Sequence, residues 1–204
     1  MARAIIGLAA LPLLIGMLSG CAGSPPVHFY TLSAEATAGA AVPAIVGTEL
    51  RIAVGPITLP EVVDRPQLVV RSGPNKVTLI DEHRWAESLK GEIPRVVAEN
   101  LSRLLVTGQV WAYPQNAAGP FDYRVLVDIQ RFESTPGQIV AIDALWTVQH
   151  PSKEGIVSKT GRTTVQQPVG GKGYESLVAA HSGALSAISR DIAEAIRVFS
   201  PTGP

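Results

Sequence analysis

The sequence predicts an α+β fold, a single two-layer domain in which a mixed, mainly antiparallel sheet carries two long helices on one face. Three observations lead there. Residues 123–165 read as three consecutive strands joined by short turn-forming links. Two apolar stripes at helical spacing occupy 85–105 and 174–199. Two β-rich runs, 67–71 and 76–80, bracket the hairpin chemistry Ser72-Gly73-Pro74-Asn75. No internal repeat of fixed period appears.

The chain opens with Arg3, an apolar run from Ala4 to Leu18 and small residues directly before Cys21. That is the layout of a secretory signal. The run of about 15 residues is shorter than the roughly 20 a bilayer-spanning helix needs. Residues 1–20 are therefore expected to be removed. Cys21 is the only cysteine, so no intramolecular disulfide is possible. An exposed lone thiol in an oxidising compartment is a liability, whereas an acylated one is not. Two or more acyl chains at one site give stable anchoring. The competing reading is an ordinary secreted protein with a chance cysteine at the cut.

Val27 to Leu32, rich in aromatic and β-branched residues, reads as a short strand. It lies within about 20 Å of extended chain from Cys21. If it joins the sheet, the folded body sits close to the membrane. Ser33 to Gly47 is dominated by alanine and glycine and reads as a long surface loop. The alternative is an ordered domain that starts only near Glu49. The predicted organisation is thus 1–20 leader, 21–48 lipidated segment with its short strand and loop, 49–199 the α+β domain, and 200–204 a disordered tail.

Leu50, Ile52 and Val54 alternate as in a half-buried strand, which Gly55-Pro56 is expected to end. Residues 58–66 form a proline-bounded connector before the hairpin. Trp85, Leu89, Ile93, Val96, Val97, Leu101, Leu104 and Leu105 make the first helical stripe. Gly91 and Pro94 predict a kink or break near Gly91, and Thr107-Gly108 a glycine-type terminator. Val110 to Tyr113 is a strand, and strand–helix–strand favours a parallel pairing through a right-handed crossover. In the following meander, Tyr123, Val125, Val127 and Ile129 share one face, opposite Arg124, Asp128 and Gln130. A glycine-rich loop at 167–173 leads into the second helix, with Leu177, Ala184, Leu185, Ile188, Ile192, Ala195, Ile196 and Phe199 as its stripe.

Basic and acidic residues number 17 each, and losing Arg3 with the leader leaves 16 bases against 17 acids. A near-neutral chain gives no support to nucleic-acid binding. A hydrophobic fraction of 46% suffices for one packed core in roughly 184 mature residues. The four histidines, His28, His83, His150 and His181, match no metal spacing, and a single cysteine excludes thiolate zinc sites. No HExxH, GxSxG or GxxxxGK[ST] pattern occurs. Gly170-Gly171-Lys172-Gly173 lacks the Ser or Thr of a phosphate loop. Asp81-Glu82, ahead of the first helical stripe, suits that helix's dipole better than acid–base work. No cofactor, metal or catalytic residue is expected, and the chain does not read as an enzyme.

Three clusters stand out together: Leu59-Pro60, then Asp64-Arg65-Pro66-Gln67, then His83-Arg84-Trp85-Ala86-Glu87-Ser88-Leu89. Leu18-Ser19-Gly20-Cys21 resembles the lipobox of bacterial lipoproteins. With Phe29-Tyr30-Thr31-Leu32 and the Ala-rich final helix, the mature chain resembles the PqiC-type ABC-transport auxiliary lipoproteins. One departure is Ser88, where that pattern would have proline. The resemblance implies cleavage before Cys21 and lipid on its thiol and amine, with Ala22 compatible with sorting to the outer membrane. It also implies a homo-oligomeric ring, and as partners an MCE-domain periplasmic protein and an inner-membrane permease subunit of one lipid-transport system. Such a part holds the outer end of a conduit at the membrane and needs interfaces, not catalysis.

Asp64, Arg65, Pro66, Arg84, Trp85 and Glu87 are the candidate family-motif or interface residues, with Cys21 the candidate lipid attachment site. In one reading Trp85 is the first core residue of the helix and Arg84 and Glu87 make local contacts. In the other, Arg84 and Glu87 pair across a subunit boundary that Trp85 anchors. Two other functions stay open: an outer-membrane lipoprotein that regulates cell-wall synthesis or braces a secretion channel, and a periplasmic enzyme.

Overall fold

A computed structural model describes residues 25–35, 50–106, 109–113 and 120–199. The leader, Cys21, most of the Ala/Gly-rich loop, Thr107-Gly108 and the tail lie outside the described residues. The elements run β1 (His28–Tyr30), β2 (Ile52–Thr58), β3 (Gln67–Gly73), β4 (Lys76–Trp85), α1 (Leu89–Leu105), β5 (Val110–Ala112), β6 (Tyr123–Thr135), β7 (Ile139–Ser152), β8 (Gly155–Pro168) and α2 (Tyr174–Phe199). The α+β class holds, and the strands divide between two mixed sheets. One has the order β1-β4-β3, the other β5-β2-β6-β7-β8. Helix α1 packs on β2 and β5, α2 on β7 and β8, and the helices touch each other.

The meander β6-β7-β8 is antiparallel throughout, as its short links require. Tyr123, Val125, Val127 and Ile129 are buried. A register shift after Ile129 moves the buried set to Phe132 and Ser134, so the strand stays on the core while it bends. Gly161 lies opposite Trp146, and a Cβ there would collide with the indole ring. Trp146 Nε1–H donates to Thr163 Oγ1 at 3.0 Å, which donates to Asp191 Oδ2 of α2 at 2.7 Å. Gly161→Ala is therefore expected to cost about 1–3 kcal/mol through overpacking, read from urea unfolding. An unchanged midpoint would show that the ring can move aside.

Several sequence expectations change. Strand β2 does not end at Gly55-Pro56 but continues to Thr58, because Gly55 takes φ +116° and the register shifts between Val54 and Ile57. A bulge is where a strand tolerates a residue without an N–H. Nor is β2 half-buried: it lies parallel between β5 and β6, with Ile52 and Val54 fully covered. The parallel partner of β5 is this strand and not β4, which precedes it. Helix α1 is unbroken across Gly91 and Pro94. Pro94 removes only the bond to the carbonyl of Lys90, an exposed residue near the helix start.

At the C-terminal end of α1 the left-handed residue is Val106 (φ 53°), whose N–H reaches the Ser102 carbonyl. Trp85 closes β4 instead of opening the helix, since its N–H donates to the Pro66 carbonyl at 2.7 Å. Asp81 and Glu82 accordingly lie inside β4, and the acid in the first turn of α1 is Glu92.

Strand β1 pairs in parallel with β4, His28 opposite His83 and Tyr30 opposite Trp85. Ordered structure therefore begins well before Glu49. Beyond β1 the chain straps across both helices. Leu32 N–H donates to Glu92 Oε1 of α1 at 2.9 Å and Ser33 N–H to Ser182 Oγ of α2 at 3.1 Å. Arg103 Nη1 donates to the Ala34 carbonyl at 2.8 Å. Leu32 itself is buried.

Candidate functional site

The three sequence clusters meet at one end of the three-stranded sheet. Val63 is buried and plants the connector in the core, while Val63 N–H to the Pro60 carbonyl and Arg65 N–H to the Val63 carbonyl fold it into a tight turn. That turn delivers Pro66 to Trp85. On the other side, Ala86 N–H donates to the Tyr30 carbonyl at 2.9 Å. Backbone bonds thus join the connector, the end of β4 and the N-terminal strand β1 into one surface. A groove of about 380 Å³ opens between them, and all six candidate residues line it together with Phe29.

The groove's two carboxylates are both neutralised from α1. Lys90 Nζ lies 2.5 Å from Asp64 Oδ2, and Arg95 Nη2 lies 2.8 Å from Glu87 Oε2. Both pairs are exposed enough to stabilise little individually. Its two cations are not matched in this way. Arg84 Nε–H donates to the Asp81 backbone carbonyl at 2.8 Å. Among the described residues no carboxylate lies within ion-pair distance of Arg84 or Arg65. Arg65 is exposed, and so is Phe29, at 65% of its surface.

Trp85 turns inward. Only 5% exposed, its ring meets Phe132 of β6 at 6.4 Å and His181 of α2 at 6.0 Å, both edge-on. It joins the small sheet, the large sheet and α2 in this subunit's own core. Arg84 and Glu87 make the local contacts already described. Ser88 takes φ −63° and ψ 132° with no side-chain cap, a conformation proline adopts freely. Its carbonyl accepts the N–H groups of Gly91 and Glu92 at 2.9 Å each.

Three groups had no signal in the spacing of the sequence. His28 and His83, 55 residues apart, stack at 5.1 Å because β1 and β4 pair in register. Tyr30 Oη lies 2.7 Å from His83 Nδ1, and Tyr174 of α2 covers the ring at 4.0 Å. Burial, then the nearby charge of His28, lower the His83 pKa, with Glu82 opposing. Glu92 is fully buried. Desolvation raises its pKa against the pull of the Leu32 N–H and of Arg95 at 3.8 Å. His181 is fully buried, stacked on Phe132 at 4.2 Å, with Nε2 2.7 Å from Ser134 Oγ and Nδ1 unpartnered. The signal for Phe29 was present: alternation in His28-Phe29-Tyr30 puts it on the face opposite the stacked His28 and Tyr30.

Among the described residues no group of three His, Cys, Asp or Glu side chains is placed to hold a metal ion, and no helix is long and apolar enough to cross a membrane. The site is a stitched groove with a greasy lip and two cations.

The chain is similar to two crystal structures. One, described only as an uncharacterized protein, superposes with a TM-score of 0.64 at 16% identity, covering 84% of this chain and 99% of that one. The other is a Xanthomonas campestris protein of family DUF330, with a TM-score of 0.60 at 19% identity over 82% of this chain and 93% of that one. At these identities the likeness speaks for the fold. No curated protein matches the sequence. The family model described as "ABC-type transport auxiliary lipoprotein component" matches residues 30–193, from the last residue of β1 into the last turns of α2. All the groove residues but Phe29, the whole of α1 and most of α2 fall inside that match, and the chain belongs to the ABC-type transport auxiliary lipoproteins.

Proposed function

We propose that this auxiliary lipoprotein is held at the periplasmic face of the outer membrane by lipid on Cys21, and docks the outer end of a lipid-transport conduit there. Its partners in this reading are an MCE-domain periplasmic protein and the inner-membrane permease subunit of the same system, and the subunits assemble as a homo-oligomeric ring. The observation that carries the reading is the convergence of Asp64, Arg65, Pro66, Arg84, Trp85 and Glu87 on one groove beside Phe29. That strand leads back to Cys21 through six residues of chain, about 20 Å when extended. The anchor can therefore lie no further than about 20 Å from the strand that borders the family-motif surface. Binding and positioning, without catalysis, are the work of such a part.

Cys21→Ala tests it. The variant is expected to leave the outer-membrane fraction almost completely and to sensitise cells to detergent, because no other part of the chain supplies the acyl burial. Variant protein still in the outer membrane with a normal barrier would overturn the reading. Mild solubilisation of the native protein should bring down MCE subunits. A cell-wall synthase or a secretin in their place would favour the other kind of lipoprotein.

A further inference from the structure

We propose that the groove binds the phosphate of a membrane phospholipid headgroup, so that the subunit rests on the bilayer through Arg65, Arg84 and Phe29. The proposal rests on the Cys21 anchor above and gives the anchored body an orientation. Three observations carry it. The first is the charge pattern. Lys90 and Arg95 neutralise Asp64 and Glu87, which leaves the guanidiniums of Arg65 and Arg84 on one concavity with no carboxylate among the described residues within ion-pair distance. Guanidinium is the cation whose planar fork of donors matches phosphate. The Asp81 carbonyl holds Arg84 by Nε alone, so its two terminal nitrogens stay available.

The second is Phe29. It lines the groove and is 65% exposed, which sets a large apolar ring at the lip of a cationic pocket. Aromatic rings at the interface enter the headgroup layer. The third is reach. Phe29 follows Cys21 by eight positions, seven residues lying between them. A chain fixed at Cys21 cannot carry Phe29 more than about 25–30 Å from the bilayer surface, so headgroups are the phosphates closest to hand.

The test uses the mature chain exported by a non-lipoprotein leader with Cys21 left out, residues 22–204, which includes every described residue. Its thermal unfolding is first matched to that of the lipidated protein. Sedimentation with vesicles of phosphatidylcholine containing about a third phosphatidylglycerol should pull it down, with binding that weakens as salt rises. Arg65→Glu with Arg84→Glu should weaken this by about tenfold or more, and Phe29→Asp should also weaken it. Arg103→Glu, on the far strap contact, should leave it unchanged. Inorganic phosphate at millimolar concentration should compete poorly, since it lacks the bilayer that Phe29 enters. No vesicle binding, binding indifferent to the double charge reversal, or a reversal that blocks capture of a protein partner but not of vesicles would each overturn the proposal. The chain used here has no acylation site, so these outcomes do not depend on whether Cys21 carries lipid. Mass spectrometry of the native mature end decides that separately.

Discussion

Trp85→Ala is expected to lower the free energy of unfolding of the isolated subunit by about 3–5 kcal/mol. The indole is 5% exposed and sits where β4, β6 and α2 meet, edge-on to Phe132 and His181. Truncation leaves a hole between two sheets and a helix whose backbones are each held by their own ladders, so collapse into the void is limited. Urea unfolding at fixed pH checks the figure, and a loss under about 1 kcal/mol would contradict the core placement. An effect on assembly alone, with the unfolding midpoint unchanged, would mean that Trp85 is available to a second subunit.

Acidification is expected to destabilise the fold between pH 6.5 and about 3, chiefly through His181. Burial lowers its pKa from 6.5 to about 3. Above 6.5 the ring is neutral in both folded and unfolded chains, and this contribution is fully present. Below it the unfolded chain binds a proton that the fold refuses, so stability falls by about 1.4 kcal/mol per pH unit, or about 2 kcal/mol by pH 5. His83, lowered mainly by burial, acts in the same direction from the same starting point. Glu92 opposes both, since burial raises its carboxyl and the fold gains as that group takes a proton.

Asp122 and Asp143 are held below the usual carboxylate range by hydrogen bonds from Arg51 and Arg162. Their loss falls mainly below about pH 4, under most of the histidine window. Denaturant midpoints at pH 7.5 and 5.0, compared between native protein and His181→Asn, isolate the effect. The variant should start less stable and lose markedly less on acidification. Equal losses in the two proteins would refute the assignment to His181.

Much of the outline was legible in residue patterns. The meander showed because alternation over 123–129 and turn residues at 134–137 and 151–155 leave one antiparallel solution. The hairpin at 67–80 and the helix from Tyr174 were legible for similarly local reasons. Errors gathered where a distant contact overruled a local preference. Pro56 looked like a strand end, yet Gly55 and a bulge against β6 carry β2 past it. Trp85 fits a helical stripe, but one backbone bond to Pro66 and a parallel neighbour hold it in a strand.

The groove was half visible. Its six motif residues were identified as a set, and the β3–β4 hairpin brings them together, with Gln67 opposite Arg84 and the Trp85 N–H on the Pro66 carbonyl. That β1 lies beside β4 was not legible, because parallel pairing leaves no mark in either segment. The His28–His83 stack follows from that same pairing and the buried carboxylate of Glu92 likewise had no signal, whereas the face on which Phe29 stands was legible in the alternation of His28-Phe29-Tyr30.

By itself the sequence determined the α+β class, the family resemblance, the amphipathic faces and the presence of a single cysteine after an apolar N-terminal run, because each is written in spacing or composition. Only the tertiary structure decided that there are two sheets, that Trp85 faces inward, and that Asp64 and Glu87 are matched by cations while Arg65 and Arg84 have no acid within ion-pair distance among the described residues. Those outcomes depend on which segments become neighbours across tens of residues, and charge balance at a groove is a property of neighbours.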